Sequence, residues 1–254
     1  MPKLSFSTLP CMEYNAEELF ALCEKYGFSG AEVRTKNDGS FVHGGKLFVT
    51  DVGSSICIKK FDEAMLENAI KLANSVAESG IKAMRVFLGN FCQRYDAPRT
   101  EIVYDEIVLM LQKLADSTKC EIWIETHNEF ATGKVLKKLL SDIDRKNVKI
   151  IWDIIHPIED GETPEETIAY LGDKIAHVHI KDGKKREDPA WHDFEYTPIG
   201  EGELPIKKIV KLLEESGYDG FFSLEWESLW RKELKDLNWS VDEILQKYID
   251  FMAN

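Results

Sequence analysis

The stretch PIKKIVKLLEESGYDGFFSLE, residues 205–225, reads as one complete helix, turn and strand. Ile206, Ile209, Val210, Leu212 and Leu213 recur at helical spacing and make one apolar face, with Lys and Glu opposite. Gly217 stands where a left-handed turn ends such a helix. From Gly220 the spacing changes to a short apolar run that closes on Glu225, fit for a buried strand. A helix feeding a buried strand is half of a parallel βαβ unit.

The same unit recurs along the chain. Strands are expected at Lys3–Ser7, Gly30–Arg34, Gly53–Ile58, Ala83–Leu88, Glu121–Glu125, Lys149–Asp153, Ala176–Ile180 and Gly220–Glu225. Amphipathic helices fall between them, as in AEELFALCEKYG (16–27) and FDEAMLENAIKLANSVAESG (61–80). Eight units in 254 residues match a (β/α)8 TIM barrel, a single α/β domain spanning 1–254. A doubly wound open sheet is the alternative, but no strand followed by G-x-G-x-x-G opens the chain. The second unit is irregular: TKNDGSFVHGGKLFV (35–49) holds too many Gly and polar residues for a full helix.

Composition narrows the function classes. The chain is 44% hydrophobic and 30% charged with a net charge of −13, and its longest basic block is KDGKKR. A nucleic-acid partner, which calls for a basic face, is not expected. No apolar run reaches membrane-spanning length, so no membrane partner is expected either. The start, MPKLSFSTLP, lacks a charged segment followed by an apolar one; no signal peptide and a cytoplasmic location are expected. The five cysteines, Cys11, Cys23, Cys57, Cys92 and Cys120, are odd in number and without C-x-x-C, and read as reduced thiols. A homo-oligomer is left open.

In a barrel, C-terminal strand ends gather around one pocket. The last four strands finish alike: EIWIE on Glu125, VKIIWD on Asp153, IAHVHI near its end on His179, and GFFSLE on Glu225. One carboxylate at a strand end is an ordinary loop cap. Four metal-competent side chains in succession at one level call for another reason, because buried carboxylates repel and a divalent cation holds them ionised. Three oxygen donors and one imidazole suit Mn2+, Mg2+, Co2+ or a catalytic Zn2+. His177 and His179 share a strand face; His177, about 6.6 Å deeper, reads as a second-layer or core histidine.

IETHN (124–128), WDIIH (152–156), HVHIKD (177–182), IGEGELP (199–205) and GYDGFFSLEWE (217–227) follow in the order and spacing of the xylose isomerase-like sugar phosphate isomerase/epimerase superfamily. SGAEVR (29–34) and GIKAMRVF (80–87) resemble its second and fourth strands, so the resemblance covers almost the whole chain. It implies one divalent metal held by Glu125, Asp153, His179 and Glu225, with the two glutamates also acting as the acid–base pair. It also implies that His156 binds substrate.

Such a site makes the proton beside a chelated carbonyl acidic and leads through a metal-stabilised enediolate. Glu125 and Glu225 could deprotonate one face and reprotonate the other, giving a sugar or sugar phosphate isomerase or epimerase. Loss of a β-hydroxyl from the same intermediate gives the alternative, a dehydratase of a cyclic polyol or keto acid of the inosose or dehydroshikimate type. Glu32 is a candidate for a substrate hydroxyl or an ion pair, and His127 for substrate contact or a solvated loop. Arg34 and Arg85 are candidates for an anionic group or for neutralising interior acids; Lys181 is a candidate for the same work or a solvated rim. Trp226 is a candidate wall under a sugar or a core residue. Ketose epimerases place a substrate-binding arginine six residues after the metal histidine; that position is Lys185 here, with Arg186 beside it. The long segment KDGKKREDPAWHDFEYTP (181–198) is read as a lid or a subunit contact.

Two rivals remain. A type-IV apurinic endonuclease needs extra metal-binding histidines in a D-x-H motif, where this chain has Phe194 and Tyr196. A non-catalytic barrel would make the four-residue set incidental.

Overall fold

A computed structural model describes residues 2–92 and 94–253. Eight parallel strands close a barrel in the order β1-β10-β7-β6-β5-β4-β3-β2. They are β1 (Lys3–Ser7), β2 (Gly30–Arg34), β3 (Val49–Ile58), β4 (Ala83–Leu88), β5 (Glu121–Glu125), β6 (Val148–Asp153), β7 (Ile175–Ile180) and β10 (Phe221–Leu224). Four of the eight expected spans carry over unchanged. The third strand starts four residues before the expected Gly53, at Val49, because Val49 and Val52 pair with Ala31 and Val33 of β2.

The helices follow local chemistry. In α1 (Ala16–Tyr26) the Asn15 side chain accepts the Glu17 and Glu18 amides while Glu18 accepts the Asn15 amide, a reciprocal cap. In α7 (Ile206–Glu215), Ile206, Ile209, Val210 and Leu213 are the buried residues, the apolar stripe read from the sequence. The helices α2 (Glu63–Glu78), α3 (Tyr104–Asp116), α4 (Gly133–Ile143), α5 (Ile155–Glu159), α6 (Pro164–Leu171) and α9 (Val241–Ala253) follow the same logic, with a short α8 (Lys232–Lys235) before the last. No helix is assigned to residues 35–48, the irregular second unit. No described helix is long and apolar enough to cross a membrane.

The main apolar core lies between barrel and helices; inside the barrel, Ala83, Trp123 and Ile151 form a small separate cluster. Around and above that plug the interior is polar: Ser5, Ser7, Glu32, Asp51, Arg85, His177, His179 and Ser223 are all buried. Between β7 and α7 an antiparallel hairpin, β8 (Asp182–Lys185) with β9 (Phe194–Thr197), rises beyond the strand ends.

Candidate active site

The strand ends bring Glu125, Asp153, His179 and Glu225 together, with one ligand atom of each lying within 4.8 Å of the others. Register explains the meeting: Asp153 pairs with His179 across β6 and β7, and Ser223 pairs with His179 across β7 and β10, which puts Glu225 just above. The Thr126 hydroxyl accepts the Asp153 amide at 2.8 Å and donates to the Asp153 carbonyl at 3.0 Å, locking the end of β5 to that of β6.

His179 is aimed from behind. Its Nε2 lies 2.8 Å from Glu32 Oε2 and donates to it, which turns Nδ1 towards the cluster. Nδ1 sits 3.3 Å from Glu225 Oε2 and 3.7 Å from Glu125 Oε2. His179 Nδ1 and Asp153 Oδ2 are both buried without a hydrogen-bond partner. An imidazole nitrogen and a carboxylate oxygen without hydrogen bonds converge here, and the Lys181 ammonium 2.6 Å from that Asp153 oxygen shows that the position draws a cation. The donor set therefore fits a divalent metal.

Charge supports the same reading. Glu32, Glu125, Asp153, Glu225 and Glu227 crowd the cluster, against Arg85 and Lys181 as permanent cations. Arg85 donates to Glu125 at 2.6 Å and stands 3.5 Å from Glu225. Lys181 lies 2.6 Å from both Asp153 and Glu225, and it also contacts Glu227. The His179 imidazolium first, then Lys181, outweigh burial and hold the Glu225 carboxyl well below the usual range. Burial opposes the charged form of His156, but Asp153 and Glu159 outweigh it and hold the imidazole up at about 10. Burial, aided by the neighbouring His156, pushes His127 down to about 3.

Above the cluster opens a cavity of about 560 Å³ lined by Glu125, Glu225, Arg85, His127 and His156, among others. Asp153, His179, Lys181 and Glu32 are not on its wall. Glu32, a sequence candidate for substrate contact, is instead fully buried behind His179. Lys181 is 2% exposed and ion-paired rather than a solvated rim residue. Lys185 is exposed on β8 and away from the cavity. Trp226 stacks on Trp239 at 5.6 Å in the core, so it walls no pocket. His127 and His156 do meet, with ring centroids 4.1 Å apart, and Glu159 holds His156 Nδ1 at 2.7 Å.

Other site residues were not singled out from the sequence. Arg231 pins the hairpin loop through Asp193, with its guanidinium 3.8 Å from the Tyr196 ring and 3.5 Å from Glu227. Glu227, two residues past Glu225, was visible only as an alternation continuing beyond the strand. Asp182 accepts the amides of Gly183, Gly200, Gly202 and Leu204, which ties HVHIKD to IGEGELP. A Cβ on Gly202 would stand 2.1 Å from Asp182 Oδ1, so only glycine admits this loop. Phe194 and Tyr196, where the endonuclease motif would need its pair, are buried in β9.

The family model described as xylose isomerase-like TIM barrel matches residues 9–244. The chain belongs to that family. Among curated relatives, an uncharacterized protein of Methanocaldococcus jannaschii is 33% identical over 123 residues, 48% of this chain and 38% of that protein. The inosose dehydratase of Lacticaseibacillus casei is 25% identical over 144 residues, 50% of this chain and 48% of its own length. The chain thus matches less than half the length of either relative. Two solved structures share the fold. The IOLI protein with a bound zinc atom has a TM-score of 0.75 at 18% identity, covering 98% of this chain and 96% of its own. The D-psicose 3-epimerase of Clostridium cellulolyticum with D-tagatose has a TM-score of 0.72 at 15% identity, covering 99% and 97%.

Proposed function

We propose that the chain is a divalent-metal-dependent isomerase or epimerase of a sugar or sugar phosphate, working by proton transfer next to a carbonyl. One observation carries the reading. Of the four clustered residues, Glu125 and Glu225 line the cavity while Asp153 and His179 are sealed beneath it. The two that can meet substrate are the two suited to move a proton.

Glu125, Asp153, His179 and Glu225 would hold the metal. A bound divalent cation would polarise the substrate carbonyl and acidify the adjacent C–H. Glu125 and Glu225 project from strands three places apart around the ring, so they approach a bound substrate from different sides. One accepts a proton and the other returns one, with inversion at carbon as the outcome. Arg85, donating to Glu125 and close to Glu225, orients both. His156, fixed by Glu159, presents Nε2 beside Asp153 and donates to a substrate oxygen.

The half-length match to inosose dehydratase favours a second reading, elimination of water by the same base. Incubation of the manganese-loaded protein with candidate ketoses and inososes in deuterated water separates the two. Deuterium uptake at the carbon beside the carbonyl without loss of water supports isomerisation or epimerisation. A conjugated enone or enol product supports dehydration. No exchange and no product across the panel would sink the proton-transfer reading.

A further inference from the structure

Four permanently charged basic side chains stand on the cavity wall or directly beneath it: Arg34, Arg85, Lys181 and Arg231. Three are committed. Arg85 is paired with Glu125 and Glu225, Lys181 with Asp153, Glu225 and Glu227, and Arg231 with Asp193 and Glu227. Arg34 lines the same cavity and is 8% exposed, yet among the described residues no carboxylate forms an ion pair with it. Its Nη2 donates to Ser55 Oγ at 3.3 Å, and its guanidinium lies 6.0 Å from the Trp230 ring. A nearly buried guanidinium without an anion is costly, and a protein keeps one where a ligand supplies the charge.

The backbone is shaped for it. Arg34 pairs with Gly53 on β3, and Gly53 pairs with Arg85 on β4. A Cβ on Gly53 would stand 3.0 Å from both Cδ and Nη1 of Arg34 and 3.1 Å from Glu32 Oε1. The glycine therefore clears the space across which the Arg34 side chain lies. Glu32 is engaged through Oε2, at 2.8 Å from His179 and 3.4 Å from His177, and its Oε1, which has no hydrogen-bond partner, forms no ion pair with Arg34. At two strand spacings, about 10 Å, Arg34 and Arg85 sit on one level of the barrel. A substrate with its hydroxy-ketone end at the metal cluster can carry a second group to Arg34.

We infer that Arg34 receives a carboxylate of the substrate, which changes the substrate class of the reading above from a sugar or sugar phosphate to a hydroxy-ketone acid. This rests on the reading of the four-residue cluster as the place where the hydroxy-ketone is held. A planar, singly charged carboxylate matches one guanidinium fork. A phosphate dianion fits less well, because the remaining wall is acidic, with Glu159, Asp193 and Glu227.

Calorimetric titration of the manganese-loaded full chain tests this with three probes: 3-dehydroshikimate, a cyclic hydroxy-ketone acid; an inosose, its neutral cyclic counterpart; and a ketose phosphate. The wild type should bind the acid at least about tenfold more tightly than the inosose. Arg34→Gln should weaken the acid by about 10- to 100-fold, the scale of a charge-assisted hydrogen bond, and leave the inosose within about twofold. The inosose thereby reports that the variant is folded, and Arg34→Lys should recover part of the loss. Equal losses for acid and inosose, or no loss for either, would overturn the assignment. A preference for the ketose phosphate that disappears in Arg34→Gln would overturn the carboxylate in favour of a phosphate. Repetition in chelator separates the two readings. An Arg34-dependent advantage for the acid that needs no metal leaves the carboxylate site standing and removes the metal-held hydroxy-ketone. Metal-dependent binding of both cyclic ligands without any Arg34 effect does the reverse.

Discussion

Glu32→Gln is the sharpest test of how the proposed metal site is built. Glu32 Oε2 accepts from His179 Nε2 at 2.8 Å and lies 3.4 Å from His177 Nε2, while its Oε1 is buried with no hydrogen-bond partner. The amide keeps the size and can still accept from Nε2 through its oxygen. It loses the charge that makes the imidazole a stronger donor to metal through Nδ1, and it places an amide N–H₂ where Oε1 has no partner. Partners of this kind behind a ligating histidine are worth about 10- to 100-fold in metal affinity, or about 1.4 to 2.8 kcal/mol. The assay is competition with a fluorescent chelator for Zn2+ and Mn2+, run beside urea unfolding of the same sample. An affinity within about twofold of wild type, with stability unchanged, would show that Glu32 does not position His179. Glu32, His177 and His179 also form a potential three-ligand group of their own. A loss far beyond about a hundredfold would therefore refute the positioning role from the other side, by making Glu32 a direct ligand.

Glu125→Gln and Glu225→Gln should each lower turnover by at least about 100-fold; metal content is measured alongside, and near-normal activity in either removes that residue from the proton-transfer role. Lys181→Met leaves Asp153, Glu225 and Glu227 without their buried cation. It should cost about 3 to 5 kcal/mol in chelator and much less with saturating Mn2+; urea unfolding showing the same loss in both conditions would refute competition between lysine and metal. Burial first, then the charge of Glu32, push Asp51 up to about 7, so the folded chain holds a proton that the unfolded chain has released. That contribution is full below the unfolded pKa and is lost as pH rises through about 7. It amounts to about 2 to 3 kcal/mol between about pH 5 and about pH 8. Asp51→Asn should flatten this part of the pH dependence of urea unfolding in chelator, and an unchanged slope would contradict the assignment.

The barrel and the four-residue cluster at its strand ends were legible because both are written locally. Apolar runs of strand length, each followed by helical spacing, mark the βα units, and a polar side chain directly after a buried run falls at the strand's C-terminal end. Glu125, Asp153, His179 and Glu225 each carry that mark within a few residues of sequence. The level of His177 was also readable, since side chains alternate with period two; it stacks below the site on Trp123, with centroids 5.8 Å apart.

What only the tertiary structure decided are the partners that lie far apart in the chain. Glu32 stands behind His179 across 147 positions, and Arg231 holds Asp193 across 38. Lys181 and Lys185 look alike in sequence, yet one is buried against three carboxylates and the other is exposed on the hairpin. Arg34 and Arg85 both sit on strands that resemble family strands. Barrel closure brings Arg85 against Glu125 and Glu225, and leaves Arg34 facing the cavity without an anion. Periodicity fixes which way a side chain points and how high it stands. The charge it meets depends on strand order, register and the curvature of the closed sheet, which no local pattern records.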